Sequence, residues 1–171
     1  MVWEFRLRIF CKYTEFTDDT EKFFKGRRWI LKVRKKFEGK HSDMTGKILG
    51  AFFQIHKELG FGFSEKVYEG ALEVLLLELG LVPDRQKEIL VYYHGKVAGL
   101  YKADMNVNGV VLLEIKSVEK LIDAHDAQLL NYLKSTEIEA GLLLNFGRQA
   151  EFHRKIYDNP RKGSLTWTQN P

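Results

Sequence analysis

The chain has 171 residues, of which 44% are apolar and 13% aromatic, enough for one folded domain with a real core. It holds no apolar run long enough to span a bilayer, and residues 1–10 are interrupted by Glu4, Arg6 and Arg8, which is wrong for a signal peptide. The single Cys11 excludes an internal disulfide framework and a cysteine-built metal site, and fits a reducing cytoplasm.

The formal net charge of +4 is unevenly placed. Residues 1–43 hold 12 of the 27 Lys and Arg and 7 of the 23 Asp and Glu, a net of +5. The remainder carries 15 basic and 16 acidic residues, a net of −1, so it must meet a polyanion through local patches or a bound cation. The first 43 residues show no sustained helical or strand period. Residues 25–36 carry seven basic side chains (Lys25, Arg27, Arg28, Lys32, Arg34, Lys35, Lys36), no acid, and Trp29 among them. One reading is an arm that grips phosphates and stacks a base. The other is a solvated, poorly ordered or loosely packed extension. Met44 also offers an alternative start, which would leave the preceding segment outside the natural protein. The sequence divides into a basic extension at 1–42, a functional domain at 43–160 and a tail at 161–171.

Regular patterning begins at Ser42. Ser42 or Asp43 can cap a helix through about Leu59, with Ile48, Ala51, Phe52 and Ile55 at helical spacing. Gly60-Phe61-Gly62 stops it. Ser64 is an N-cap candidate for a second helix to about Leu79, with Val67, Ala71, Val74, Leu75 and Leu79 inward and Gly80 as the stop. Strands follow at 87–93, 97–106 and 110–118, the last two joined around Asn108-Gly109, a hairpin signal. A helix spans roughly 123–135, then a short apolar strand 141–146 and a more polar strand 150–157. The order ααβββαββ predicts an α/β domain, helices flanking a central mixed β-sheet.

The strand Val110-Val111-Leu112-Leu113-Glu114-Ile115-Lys116 is apolar enough to be buried, yet it carries two charges. Burying a charge is costly unless it is paired or bound to a metal. Glu114 and Lys116 are two apart and share one face. Such a pair is a structural ion pair or a reaction centre. Asp104 lies across the hairpin, and its face depends on register, because a one-residue slip inverts it. A two-residue Asn108-Gly109 loop would pair Asp104 with Leu113 and point the acids apart. A three-residue loop, Val107-Asn108-Gly109 with Gly109 left-handed, pairs Asp104 with Leu112 and Lys102 with Glu114, and makes the two acids diagonal neighbours. We expect the longer loop, or a bulge of the same effect.

Two carboxylates and a lysine suit phosphodiester hydrolysis. Hard oxygen ligands favour Mg²⁺ or Mn²⁺, which polarise the scissile phosphate and acidify a bound water. Lys116 would orient that water or neutralise charge on phosphorus. The backbone carbonyl of Ile115 is a natural further ligand. The competing reading of the same pattern is a salt-bridged hairpin with no chemistry.

The segment Ala103-Asp104 followed by Glu114-Ile115-Lys116 resembles the PD-(D/E)xK nuclease superfamily, whose core runs αβββαβ; Ala103 stands where the name has proline. Upstream, Gly62-Phe63-Ser64-Glu65-Lys66-Val67-Tyr68 is similar to the signature of its GxxExxY branch. Downstream, Gln128-Leu129-Leu130-Asn131-Tyr132 is similar to the QxxxY element of RecB-like nucleases. His56-Lys57-Glu58-Leu59-Gly60 and residues 127–133 also look like this branch. The resemblance covers about residues 43–157, and neither the N-terminal arm nor the tail after Pro160.

The resemblance implies a restriction-endonuclease-like fold and a metal-dependent nuclease with nucleic acid, DNA ahead of RNA, as its partner. It implies Asp104, Glu114 and Lys116 at the centre and Glu65 as a further metal ligand or nearby acid. It sets Gln128 against the lysine, the metal's water shell or a phosphate, with Tyr132 supporting a phosphate or fixing Gln128. The bland readings are a first-turn helix charge for Glu65, a helix–helix hydrogen bond for Gln128 and a core tyrosine for Tyr68, which otherwise orients Glu65 from the same face. His56 and His125 read as packed or surface residues sooner than as phosphate or water ligands, and Asp123 and Asp126 as helix-start charges. No membrane partner is expected; a homodimer would supply basic surface. The rival function is a catalytically inactive nuclease-fold module that binds nucleic acid or a protein.

Overall fold

A computed structural model describes residues 39–162 and, for backbone alone, residues 20–25 and 28–33. The chain divides into two units, Met1–Gly50 and Ala51–Pro171. In the first unit, strands β1 (Thr20–Lys25) and β2 (Arg28–Val33) pair antiparallel, Lys25 opposite Arg28. The sequence showed no strand period there. The side chains of the basic run, Trp29 included, lie outside the described residues, as does the phosphate-gripping role read from them.

Helix α1 (Ser42–Leu59) begins in the first unit and ends in the second. In the second unit follow α2 (Glu65–Glu78), β3 (Pro83–Tyr93), β4 (Lys96–Val107), β5 (Val111–Lys116), α3 (Asp123–Lys134), β6 (Ala140–Phe146) and β7 (Ala150–Ile156). This is the ααβββαββ order expected. The strands form one mixed sheet in the order β3-β4-β5-β6-β7, with β5 and β6 parallel and every other pair antiparallel. A parallel pair needs a crossover, and α3 supplies it. Nearly every residue of β5 and β6 is buried, as the two central strands of a sheet covered on both faces should be.

One face carries α3, whose Leu129, Tyr132 and Leu133 pack with Leu112, Leu121 and Leu143. The helix lies so close that a Cβ at Gly141 would come within 2.8 Å of Leu129 Cδ1. On the other face Phe146 is stacked on Tyr68 of α2, ring centroids 4.2 Å apart, and meets Phe52 of α1 edge-on at 4.7 Å. Beyond β7, Lys162 is buried and donates to the carbonyls of Thr136 (2.7 Å) and Ile138 (2.9 Å).

Three sequence readings are corrected in detail. The inward stripe of α2 is Tyr68, Leu72 and Leu76, joined by Glu69, while Val67, Val74 and Leu79 are exposed. Apolar side chains span a wide arc of this helix, so its periodicity allowed two rotations. Strand β3 starts at Pro83, not at residue 87; proline is tolerated as a first strand residue. The β4–β5 loop does have three residues, but they are Asn108-Gly109-Val110. Asn108 (φ 53°) and Gly109 (φ 74°) are both left-handed, and Val110 N donates to Val107 O at 3.1 Å. Val107 therefore pairs with Val111, Asn106 with Leu112 and Met105 with Leu113.

Candidate active site

Continued by one residue, that register would bring Asp104 level with Glu114 rather than onto its diagonal. The ladder ends one step earlier, at Met105–Leu113. There the Asp104 side chain takes over from the backbone, its Oδ2 accepting from Ile115 N at 2.7 Å. Glu114 is almost wholly buried. Its Oε1 accepts from Lys116 Nζ at 2.5 Å, while its buried Oε2 has no hydrogen-bond partner among the described residues.

The electrostatics follow from this crowding. Burial pushes the Glu114 carboxyl up to about 7, and the neighbouring Asp104 adds to the rise against the pull of Lys116. Burial also raises Asp104, against the Ile115 N–H bond and the Lys116 charge that draw it down. For Lys116 burial acts downward, but the hydrogen bond to Glu114 and the charges of Glu114, Glu65 and Asp104 outweigh it and raise the pKa. Two acids and a base thus share one partly dry corner of the sheet.

Glu65 opens α2 in an exposed position, and its charge reaches Asp104, Glu114 and Lys116. Ser64 occupies the N-cap without a side-chain cap bond. Gln128 does not hydrogen-bond Lys116; its Nε2 donates to the Tyr132 hydroxyl at 2.6 Å, and that hydroxyl donates to Lys102 O at 3.2 Å. Burial raises the Tyr132 pKa, and the Glu114 and Asp104 charges add to it, so this tyrosine borders the acid corner. Tyr68 sits in the core, its hydroxyl donating to Gly60 O (2.8 Å) and accepting from Phe63 N (3.3 Å). It fixes the loop that leads into Glu65.

His56 Nε2 lies 2.8 Å from Gly147 O, and His125 Nδ1 accepts from Ile122 N at the start of α3. Both positions are structural. Asp126 pairs with His153 (3.0 Å) and Lys155 (2.9 Å), a link from α3 to β7.

Several supporting residues had escaped the sequence reading. Glu69, buried on α2, accepts from Arg85 (2.9 Å) and Gln86 (3.0 Å), and its charge bears on Asp104. Asn145 clasps Val118 through both amide atoms, each at 3.0 Å, holding the chain just beyond Lys116. A polar residue inside the apolar run 140–146 was the available signal for Asn145. Nothing near Glu69 in sequence announced a partner as distant as Arg85.

Among the described residues no group of three His, Cys, Asp or Glu side chains is arranged to hold a metal ion. The donor set nevertheless suits a hard divalent cation, which needs only one or two carboxylates besides water and substrate oxygens. The unpartnered Glu114 Oε2 opposite the raised Asp104 is the kind of position a cation relieves.

A mixed sheet flanked by helices, with an acid-x-lysine pair on its central strand close to a second acid, defines a restriction-endonuclease-like core. A family model of the PD-(D/E)XK nuclease superfamily matches residues 42–156, and the chain belongs to that superfamily. Its members are nucleases and generally use divalent metal ions. The crystal structure of SSO0001 is similar at 19% identity and a TM-score of 0.43, over 73% of this chain and 64% of that one; the chain thus spans less than two-thirds of that protein. An alkaline exonuclease from Laribacter hongkongensis is similar at 13% identity and a TM-score of 0.43, over 75% of this chain and 76% of that one. No curated protein sequence matches the chain. Among the described residues no helix is long and apolar enough to cross a membrane.

Proposed function

We propose that residues 43–160 form a nuclease domain that hydrolyses phosphodiester bonds of DNA, in preference to RNA, with Mg²⁺ or Mn²⁺. The observation that carries this reading is a buried Glu114 whose Oε2 has no hydrogen-bond partner among the described residues, held by Lys116 and within reach of the Asp104 charge. Within the superfamily the domain belongs to the GxxExxY branch, on the strength of Gly62, Glu65 and Tyr68. Asp104 and Glu114 would hold the cation, with the Ile115 carbonyl and Glu65 as further oxygen donors. The cation supplies positive charge to the scissile phosphate and acidity to a water beside it.

The chain's own groups do the rest. Lys116, parting from Glu114 once that carboxylate has another partner, orients the attacking water and stabilises the charge gathering on phosphorus. Attack is in line, and the P–O bond to the leaving oxygen breaks without a covalent enzyme intermediate. Tyr132 fixes the Gln128 amide, whose oxygen remains available to the water or substrate. A cytoplasmic setting, and a homodimer whose second copy supplies basic surface, belong to the same proposal.

One observation favours the rival reading of a binding module without turnover: residues 44–171 carry a net charge of −1, where a DNA enzyme normally presents a basic cleft. Incubation with linear, circular, single-stranded and branched nucleic acids, with and without Mg²⁺ or Mn²⁺, separates the two. We expect metal-dependent cleavage that Glu114→Ala and Lys116→Ala each reduce by roughly 100-fold or more. Folded wild type that binds the panel with metal present and cuts none of it would establish the module instead.

A further inference from the structure

The loop that enters α2 reads Gly60-Phe61-Gly62-Phe63, and it leaves both rings in solvent, Phe61 54% and Phe63 47% exposed. Gly62, at φ 105°, adopts a backbone that side chains rarely tolerate, and it sits between the two aromatics. The loop is held firmly all the same. The Tyr68 hydroxyl ties Gly60 O and Phe63 N, and Ser117 Oγ donates to Phe63 O at 2.8 Å. Ser117 follows Lys116 directly, so this tether holds the Phe63 backbone against the chain just past Lys116, and Glu65, two residues on, sends its charge to Asp104, Glu114 and Lys116. Arg148, exposed beyond the end of β6, lays its guanidinium over the Phe61 ring, 5.3 Å from the centroid. Asn145 of β6 is the parallel-register partner of Lys116, which brings Arg148 to the same end of the sheet.

Exposed rings on a tethered loop contribute little to the core. They are, however, already immobilised for stacking, and stacking on aromatic faces is how proteins hold unpaired bases. A base inside a duplex has both faces covered by its neighbours and cannot use such a platform. An arginine beside the ring offers a second flat face and charge for the adjoining phosphate. A domain without net positive charge gains affinity here chiefly from stacking, to which one local cation adds.

We propose that Phe61, Phe63 and Arg148 form a binding site for unpaired nucleobases and the adjoining phosphate, so that nucleic acid approaches Asp104, Glu114 and Lys116 as a single strand. This names the substrate form and rests on the nuclease reading above, but its test is independent of cleavage. A single-stranded DNA oligonucleotide carrying 2-aminopurine is titrated with the full chain in EDTA, beside the same oligonucleotide in a duplex. Stacking quenches the probe. We expect Phe61→Ala to weaken single-strand binding roughly 10-fold, and the Phe61→Ala/Phe63→Ala double variant by more, with loss of the quench and little change on duplex. Phe61→Trp should retain both affinity and quench. Phe61 carries the result if the double variant does not fold, because its ring can be removed without touching the loop's hydrogen bonds. Unchanged affinity in Phe61→Ala, or an equal loss on duplex, overturns the proposal even where wild type cleaves with metal. Intact stacking in a wild type that cuts nothing would sink the nuclease reading and leave this site standing.

Discussion

Glu114 is a costly side chain for the fold to keep charged. A carboxylate raised from 4.5 to about 7 binds its proton more tightly in the folded state than in the unfolded chain. Over that window the native state holds more protons, so stability falls as pH rises from about 4.5 to about 7, and the deficit is constant above. Asp104 is raised as well and acts in the same direction. The Glu114 shift corresponds to a deficit on the order of 3 kcal/mol at pH 8. Thermal melts of metal-free protein should therefore show a lower Tm at pH 8 than at pH 5.5, and Glu114→Gln should flatten that difference while abolishing metal-induced stabilisation. A melting profile that rises with pH in wild type, or one Glu114→Gln leaves unaltered, would show that the carboxyl is not held in this state. Glu114 and Lys116 were legible in sequence because charges inside an apolar strand are an anomaly that burial must answer. Glu69 was not, because a buried acid on a helix looks like any surface glutamate until its partner on another element is known.

At the scale of elements, the alternation of helix and strand periods was legible, and so were most boundaries within a few residues. What failed was rotation and register. The wide apolar arc of α2 left its inward face undetermined, and the choice of Asn108-Gly109-Val110 over the loop one residue earlier depends on which turn matches the strands' twist. The tightest joint between elements is Gly147, where an added Cβ would stand 2.2 Å from Val118 O and 3.0 Å from Asn145 Nδ2. Backbone oxygen cannot swing aside as a side-chain tip can, so Gly147→Ala must move the segment just past Lys116. We expect it to destabilise the domain by about 2 kcal/mol or more and to lower cleavage with it. Gly70→Ala, in α2 with nothing within 4 Å of the new methyl, should instead stabilise by about 0.5–1 kcal/mol. Denaturant titrations of the two variants check both signs, and equal effects would refute the steric argument.

For the molecule as a whole, positive charge and candidate chemistry occupy different parts of the chain, a net of +5 in residues 1–43 against −1 in the remainder. If the first segment grips phosphates, a chain lacking residues 1–38 will bind nucleic acid more weakly. Its plot of log K against log salt will also be shallower, by roughly 0.7–0.9 for each phosphate that the deleted segment had neutralised. Anisotropy titrations across a range of roughly 50 to 200 mM salt read this, and an unchanged slope would assign the affinity to residues 39–171.

The two acids contributed by β4 and β5 differ in what the fold asks of them. Asp104 completes the seam between the strands by binding Ile115 N, so it has a structural task whether or not any reaction takes place. Glu114 Oε2 has no hydrogen-bond partner among the described residues. In a lineage where turnover no longer mattered, Glu114 would be held only by its ion pair with Lys116, while Asp104 would still be retained for its bond to Ile115 N. Of the two positions, Glu114 is therefore the more informative for telling an active domain from an inactive one, and Asp104 by itself is a poor guide.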